Sequence, residues 1–289
     1  MSPTTSNLKD DFDREGYVIV PSDLSSAQLE DLRKASKNVA ALARTGQWPH
    51  VRTLPRQFPP WPSDPSRGIW GVQHLMHPDL PGHQLFTSTY FSDRIIETVR
   101  ELMGGCAEDE LVLELYNLLV RPDEDFELRW HRDDIPATAT PEEQMARLSK
   151  PAFHAQWNCC LYDDASLIVV PQSHRRPLND SERDADPLEP SMLSQLAVQL
   201  KAGDIVFYNN NILHRGVYRT DVERMTLHGS IGHVDGGPLR ARNVLQHGRD
   251  WIGGVDFSQV ENPDRASGMR ERLLELGKKY EEVGFAHDE

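Results

Sequence analysis

Apolar residues recur along this chain in two rhythms, and each predicts a different kind of element. In "SSAQLEDLRKASKNVAALAR" (25–44) they fall at helical spacing behind a serine placed to cap the first turn. "FSDRIIETVRELMGG" (91–105) repeats that arrangement, again opening on serine and closing on glycine. "GYVIVP" (16–21) reads as a short strand ahead of the first helix. From about 110 to 235 come short β-rich runs split by turn residues: "ELVLELYNLLV", "FELRWHRD", "AFHAQWNCCLY", "SLIVVP", "GDIVFY", "ILHRGVY" and "ERMTLHGSIGHV". Such a series predicts an all-β sandwich or barrel. One more helix is expected over roughly 264–283.

The 289 residues exceed the usual ~100–200 of a domain, but large β domains run longer. No Gly/Ser tract, like-charge block or internal repeat marks a boundary. The expectation is one domain, 1–289: a helical and loop elaboration to about 105, a β core over about 106–235, and a C-terminal loop and helix. The proline-rich "RTLPRQFPPWPSDPSRG" carries too much Trp and Phe for a disordered spacer and is expected to pack as an irregular loop. A net charge of −14 repels nucleic acid and anionic lipid, and the one dense basic stretch, "SHRRP" (173–177), is too short to reverse that. Cys106, Cys159 and Cys160 form no disulfide framework and are expected as buried thiols in a reducing compartment. No signal-like or transmembrane run is evident. A soluble cytoplasmic protein with a small-molecule substrate is expected, without nucleic-acid or membrane partners; a homodimer is compatible with the sequence.

Candidate chemistry begins at "LRWHRDDIPATATPEE" (128–143). On a strand, His131 and Asp133 would share a face, roughly 6–7 Å apart at Cα from a rise of ~3.3 Å per residue. An imidazole nitrogen and a carboxylate oxygen so placed can converge on one ion, although the same spacing suits two polar residues near a turn. A kinase catalytic loop is excluded, because the downstream Leu and Asn and any Gly-rich loop are missing. His154, His174, His214, His228 and His233 are available as a third ligand. His214 stands at the start of a late strand, where a jelly roll returns beside an early one; the alternative is a histidine bonded within a turn. Two histidines and one carboxylate form the set used for non-haem Fe(II) that activates O2. Arg224 and Thr226, two apart on the following strand, share a face. A buried guanidinium needs an anion, and a fork plus a hydroxyl fits a carboxylate.

"WHRD" (130–133), "SLIVVPQSHR" (166–175), "AGD" (202–204), "LH" (213–214) and "RMT" (224–226) carry a family resemblance through their order and spacing. Across roughly 105–235, and loosely in the N-terminal helix and strand, the chain resembles the phytanoyl-CoA hydroxylase-like branch of Fe(II)/2-oxoglutarate dioxygenases. The resemblance implies a mostly β fold with flanking helices, built on a double-stranded β-helix of the jelly-roll, cupin-like kind. It implies Fe(II) bound at the catalytic centre by His131, Asp133 and His214, with 2-oxoglutarate and O2 as co-substrates and Arg224 and Thr226 on the far carboxylate. The implied activity is hydroxylation of an unactivated C–H, with release of succinate and CO2. Asp133 argues against a halogenase, which leaves that ligand position to chloride.

The chain departs from the family pattern at "PQSH", where Gln172 replaces a glycine, at the shortened "DDAS" loop, and at Arg121-Pro122, where Lys-Pro is common. These departures weaken substrate assignment by analogy. The acidic chain offers little to the phosphates of a CoA ester. A neutral or modestly polar natural-product intermediate or amino-acid derivative is expected instead. Two rivals stand: a cupin-type metalloenzyme, which would not need Arg224 and Thr226 beside the metal, and a non-catalytic small-molecule-binding jelly roll. "HAQWN" places His154, Gln156 and Asn158 on one strand face and Trp157 on the other. Gln156 or Asn158, and likewise Asn117, either touch 2-oxoglutarate or substrate or are structural. Asp134 is offset from the ligand face. Trp48, Trp61 and Trp70 lie where this family builds a substrate lid, or are ordinary packing. Arg215 and Arg219 are expected to face solvent.

Overall fold

The computed structural model describes residues 7–280, apart from 63 and 152. The N-terminal part runs α1 (Leu8–Glu15), β1 (Tyr17–Val20), α2 (Ser26–Arg44), β2 (Val51–Thr53), β3 (Ile69–Val72), α3 (His83–Tyr90) and α4 (Asp93–Leu102). The middle of the chain supplies β4 (Leu111–Val120), β5 (Phe126–Glu127), α5 (Pro141–Leu148), β6 (His154–Cys160), β7 (Leu167–Val170) and α6 (Asp180–Arg183). Then come β8 (Leu196–Ala197), β9 (Ile205–Tyr208), β10 (Leu213–Tyr218) and β11 (Met225–His233), followed by α7 (Leu239–Gly248) and α8 (Pro263–Lys279). The helix expected over 264–283 is α8; residues 281–283 lie outside the described residues.

Two antiparallel sheets form the core. The larger has the order β1-β9-β6-β11-β4-β3-β2 and the smaller β5-β10-β7-β8, the two layers of a double-stranded β-helix. The strand expected at 16–21 pairs with β9, Val18 opposite Phe207, and β3 pairs with β4, Gly71 opposite Leu119. The N-terminal strands therefore extend both ends of the larger sheet.

Period-two alternation decides what each face does. Ala155, Trp157 and Cys159 of β6, Met225, Leu227 and Ile231 of β11, and Ile205 and Phe207 of β9 join one apolar core with residues of α2, α3, α4, α7 and α8. The intervening residues His154, Gln156, Asn158, His228 and Tyr208 turn the other way and line a cavity between the sheets. Helices cover the outer face of the larger sheet; chemistry occupies the inner one.

One irregularity sets the phase of β4. Its pairing with β11 shifts between Gly229 and Ile231, so Glu114 and Leu115 together stand against Ser230. Before the bulge Leu111 and Leu113 join the helix-covered core; after it Tyr116, Leu118 and Val120 do, leaving Asn117 and Leu119 to the cavity. Tyr90 from α3 fills the break in the ladder. Its hydroxyl donates to the Ser230 carbonyl (2.6 Å) and accepts from the Glu114 N–H (3.0 Å), satisfying two buried groups that the bulge strips of partners. A Cβ at Gly229 would fall 2.4 Å from Trp157 Cζ2 and 2.9 Å from Tyr116 Cδ2, so glycine there lets both rings close over the bulge.

Some expectations change. "FELRWHRD" keeps only β5 as ladder, because Trp130 N–H turns aside to the Pro187 carbonyl. "ATATPEE" leads into a helix. Thr140 accepts from Glu143 N–H (3.3 Å), Glu143 accepts from Thr140 N–H (2.8 Å), and Pro141 opens α5. Two helices rather than one follow the β core. Cys159 and Cys160 are buried and Cys106 is partly so, all three as free thiols. Among the described residues, no helix is long and apolar enough to cross a membrane. Tyr90→Phe leaves a buried carbonyl and a buried N–H unpaired, and is expected to cost about 1–3 kcal/mol, read as a lowered urea midpoint with an unchanged slope.

Candidate active site

His131 and His214 are held face to face by the backbone. Each donates its N–H to the other's carbonyl, at 3.0 and 3.1 Å, forming a single antiparallel bridge outside the regular ladder. Their rings stand 4.3 Å apart. Asp133 N–H donates to the Asn210 carbonyl (2.8 Å), which fixes the acid two residues beyond the bridge. The expected strand spacing thus survives, though only one bridge supports it.

The ring nitrogens divide cleanly. His131 Nδ1 lies 2.7 Å from the Arg129 carbonyl and His214 Nδ1 2.8 Å from the Ile212 carbonyl. A carbonyl only accepts, so the shorter contact at each ring puts the proton on Nδ1, the Gln57 amide nitrogen standing farther from His131 Nδ1 at 3.2 Å, and both Nε2 atoms face inward. Those Nε2 atoms stand 3.5 and 3.7 Å from Asp133 Oδ1, and one donor atom from each residue lies within 4.8 Å of the others. Burial, then the neighbouring His131, lowers the His214 pKa to about 4, so its imidazole is neutral. Burial alone would raise the Asp133 carboxyl. His214, His131 and the Gln156 amide outweigh it and hold the group well below the usual carboxylate range. Two imidazoles with inward Nε2 atoms and one carboxylate on a single side fit a ferrous ion.

Gln156 and Asn117 both line this cavity. Gln156 Nε2 donates to Asp133 Oδ2 (2.9 Å), orienting the acid so that Oδ1 faces the two imidazoles. Asn117 Oδ1 accepts from His74 N–H (3.1 Å), and His228 Nδ1 is 2.9 Å from Asn158 Oδ1.

Arg224 sits on the cavity wall just ahead of β11, its guanidinium 4.2 Å from the Tyr218 ring centre. Its Nε donates to Asp164 Oδ2 (3.1 Å) and Ser166 Oγ (2.9 Å). Nη1 is buried with no partner, and so is Thr226 Oγ1. Thr226 lies behind the lining rather than among it. A guanidinium with one N–H left over at the cavity wall suits the far carboxylate of a small dicarboxylate. Asp164 and Ser166 come from the shortened "DDAS" loop, whose i, i+2 acid and hydroxyl were the available signal.

The remaining candidates separate. Trp61 and Trp70 line the cavity; Trp48 does not, its indole donating to the Gln73 carbonyl (3.1 Å) within the core. Asp134 is bound by Asn210 (2.7 Å) and Arg240 (2.9 Å). His154 lies 2.6 Å from Glu114, His174 bonds the Asp13 carbonyl, and His233 accepts from Asp235 N–H. Gln172 takes a left-handed φ of 65°, so it keeps the glycine-like turn despite its Cβ; it bonds Glu15 rather than the cavity. Arg219 is half exposed, but Arg215 does not face solvent. Its side chain is 3% exposed, lies 5.2 Å from the Trp130 ring and donates to Glu127 and the Leu188 carbonyl, because the 185–190 segment covers that face of β10. From the N-terminal loop, Gln57 Oε1 accepts from Arg129 N–H (2.8 Å) and the Phe58 ring meets His131 edge-on at 5.6 Å. Neither residue carried a signal in the sequence.

Gln156→Leu removes the hydrogen bond that orients Asp133 and is expected to weaken Fe(II) binding about 10–100-fold, as loss of a ligand's supporting partner does. Anaerobic metal titration measures it.

Comparison with known proteins follows the geometry. A family model described as "Phytanoyl-CoA dioxygenase (PhyH)" matches residues 12–226. No curated protein matches the sequence. Among solved structures, EctD from S. alaskensis with bound Fe is 20% identical with a TM-score of 0.58, over 81% of this chain and 79% of that one. AviO1 from Streptomyces viridochromogenes Tue57 is 18% identical with a TM-score of 0.53, over 78% and 93%. The epimerase SnoN in complex with Fe3+, alpha ketoglutarate and nogalamycin RO is 17% identical with a TM-score of 0.52, over 78% and 82%. At these identities the structures attest the fold. With the family model spanning most of the sequence and a His-Asp-His cluster suited to Fe(II) and 2-oxoglutarate, the chain belongs to the phytanoyl-CoA dioxygenase family and is an oxidoreductase.

Proposed function

We propose that this chain uses Fe(II), 2-oxoglutarate and O2 to hydroxylate an unactivated C–H of a small molecule, in the class of natural-product intermediates or amino-acid derivatives. The observation that carries the reading is the convergence of His131 Nε2, Asp133 Oδ1 and His214 Nε2, with both Nδ1 atoms engaged by carbonyls. The cavity, about 240 Å³, lies just below the ~300–1,000 Å³ typical of ligand sites, which favours a small substrate over a CoA thioester. Two similar structures hold small molecules of this kind: EctD with 2-oxoglutarate and 5-hydroxyectoine, and SnoN with nogalamycin RO.

Each residue has a separate task. His131, Asp133 and His214 would hold the metal, and Gln156 keeps Asp133 turned toward it. Arg224 Nη1 would take the far carboxylate of 2-oxoglutarate, while Asp164 and Ser166 fix the guanidinium from behind. Bound iron, with 2-oxoglutarate and O2, supplies the oxidising chemistry, leaving succinate and CO2 as co-products. Trp61 and Trp70 wall the cavity against water.

Adding 2-oxoglutarate to the anaerobic Fe(II) protein is expected to produce a weak visible charge-transfer band; its absence would remove this reading. His214→Ala is expected to abolish both the band and succinate release. Arg224→Ala is expected to raise the 2-oxoglutarate KM about 10–100-fold, the loss of a charge-assisted hydrogen bond, with a smaller change in kcat. Wild-type values in either variant would refute the assignment.

A further inference from the structure

One guanidinium in the cavity is left without a task. Arg52 stands in β2 opposite Gly71 of β3, and its stem crosses that glycine: a Cβ there would sit 3.0 Å from Arg52 Cδ. Its head lies 5.2 Å from the Trp61 ring centre and 5.0 Å from that of Trp70. Nε is buried with no hydrogen-bond partner, and Arg52 lines the same cavity as the triad. Burial lowers its pKa to about 10, with Tyr218, Tyr208 and Asp133 opposing, so it remains charged at neutral pH.

The cavity's acids are already committed. Glu114 and Asp134 face Arg240, Asp133 faces the two imidazoles, and Asp164 outside the lining holds Arg224. No ion pair reaches Arg52 among the described residues, and Arg242 of α7, on the same wall, has none either. Stacking on two indoles offsets part of the burial of a cation, but it satisfies no N–H. A buried guanidinium Nε left without a partner is costly to hold, and a ligand anion resolves it.

Both ends of 2-oxoglutarate are accounted for under the reading above, on which this inference rests: the keto-acid end at the metal, the far carboxylate at Arg224. We infer that Arg52 anchors an oxyanion group of the primary substrate, a carboxylate or a phosphate, held beside Trp61 and Trp70. The substrate class is therefore a small anionic molecule, not the neutral one that a net charge of −14 suggests. Overall charge describes the outer surface, whereas the cavity wall presents Arg52 with no acid paired to it among the described residues.

The test uses the anaerobic Fe(II) protein with 2-oxoglutarate saturating, so that Arg224 is occupied. Hexanoate, hexyl phosphate and neutral hexanamide are titrated while tryptophan fluorescence is followed. At least one anion is expected to bind saturably, about 10–100-fold more tightly than hexanamide, and the tighter anion identifies the group. Arg52→Gln is expected to erase that preference while the charge-transfer band persists. Arg52→Lys, which keeps the charge but loses the planar fork, is expected to fall between and serves if the glutamine variant does not fold. Equal binding of acid and amide by the wild type, no saturable anion binding, or an unchanged preference in both variants would overturn the inference. Loss of the band in Arg52→Gln would also overturn it and assign Arg52 to 2-oxoglutarate. A wild type without the band but with the anion preference would sink the oxygenase reading and leave the anion site standing.

Discussion

Two reciprocal backbone hydrogen bonds between His131 and His214 are the constraint on which the site rests. They join a segment that has already left its strand to the start of β10, and thereby set the separation of two imidazoles. Once the rings are fixed, the carbonyls of Arg129 and Ile212 choose the tautomer. Gln156 then chooses which oxygen of Asp133 remains available. Each member of the ligand set is positioned by main chain or by a side chain on the neighbouring sheet.

Around that centre, charge is distributed by pairing. Arg240 lies between Glu114 and Asp134, and Arg224 is tied to Asp164, so the inner wall carries several guanidinium groups at little electrostatic penalty. Neutral imidazoles fill the gaps: burial lowers His228 to about 3 and His214 to about 4. An acidic protein can in this way keep an unmatched guanidinium such as Arg52 in its interior, because the field inside a cavity is set by its lining rather than by the sum over the surface.

The metal triad was legible in the sequence because its residues keep a fixed order and a period-two offset, and strands preserve both. The faces of β6 and β11 were legible for the same reason: Gln156, Asn158 and Thr226 alternate with the apolar residues that meet the helices. The phase change in β4 was not, since "ELVLELYNLL" is apolar on both faces and conceals the extra residue opposite Ser230. Arg52 was hidden in a three-residue strand inside a proline-rich stretch, where no periodicity operates. Asp164 and Ser166 lie in a turn whose shortening was visible but whose direction was not. The misplacement of Arg215 followed from treating the face opposite His214 as open, when a distant loop covers it. Helix α5 was missed although Thr140 and Glu143 spell a capping box, because threonine and proline around it read as loop.

The segment carrying Gln57, Phe58 and Trp61 touches the metal centre and the indole-lined wall at once. Gln57 grips the backbone that supplies the carbonyl for His131, Phe58 abuts the His131 ring, and Trp61 stacks on Arg52. A displacement of this strip of chain therefore alters the mouth of the chamber and the mounting of an iron ligand together. The indole-lined wall and the mounting of His131 share one segment of chain.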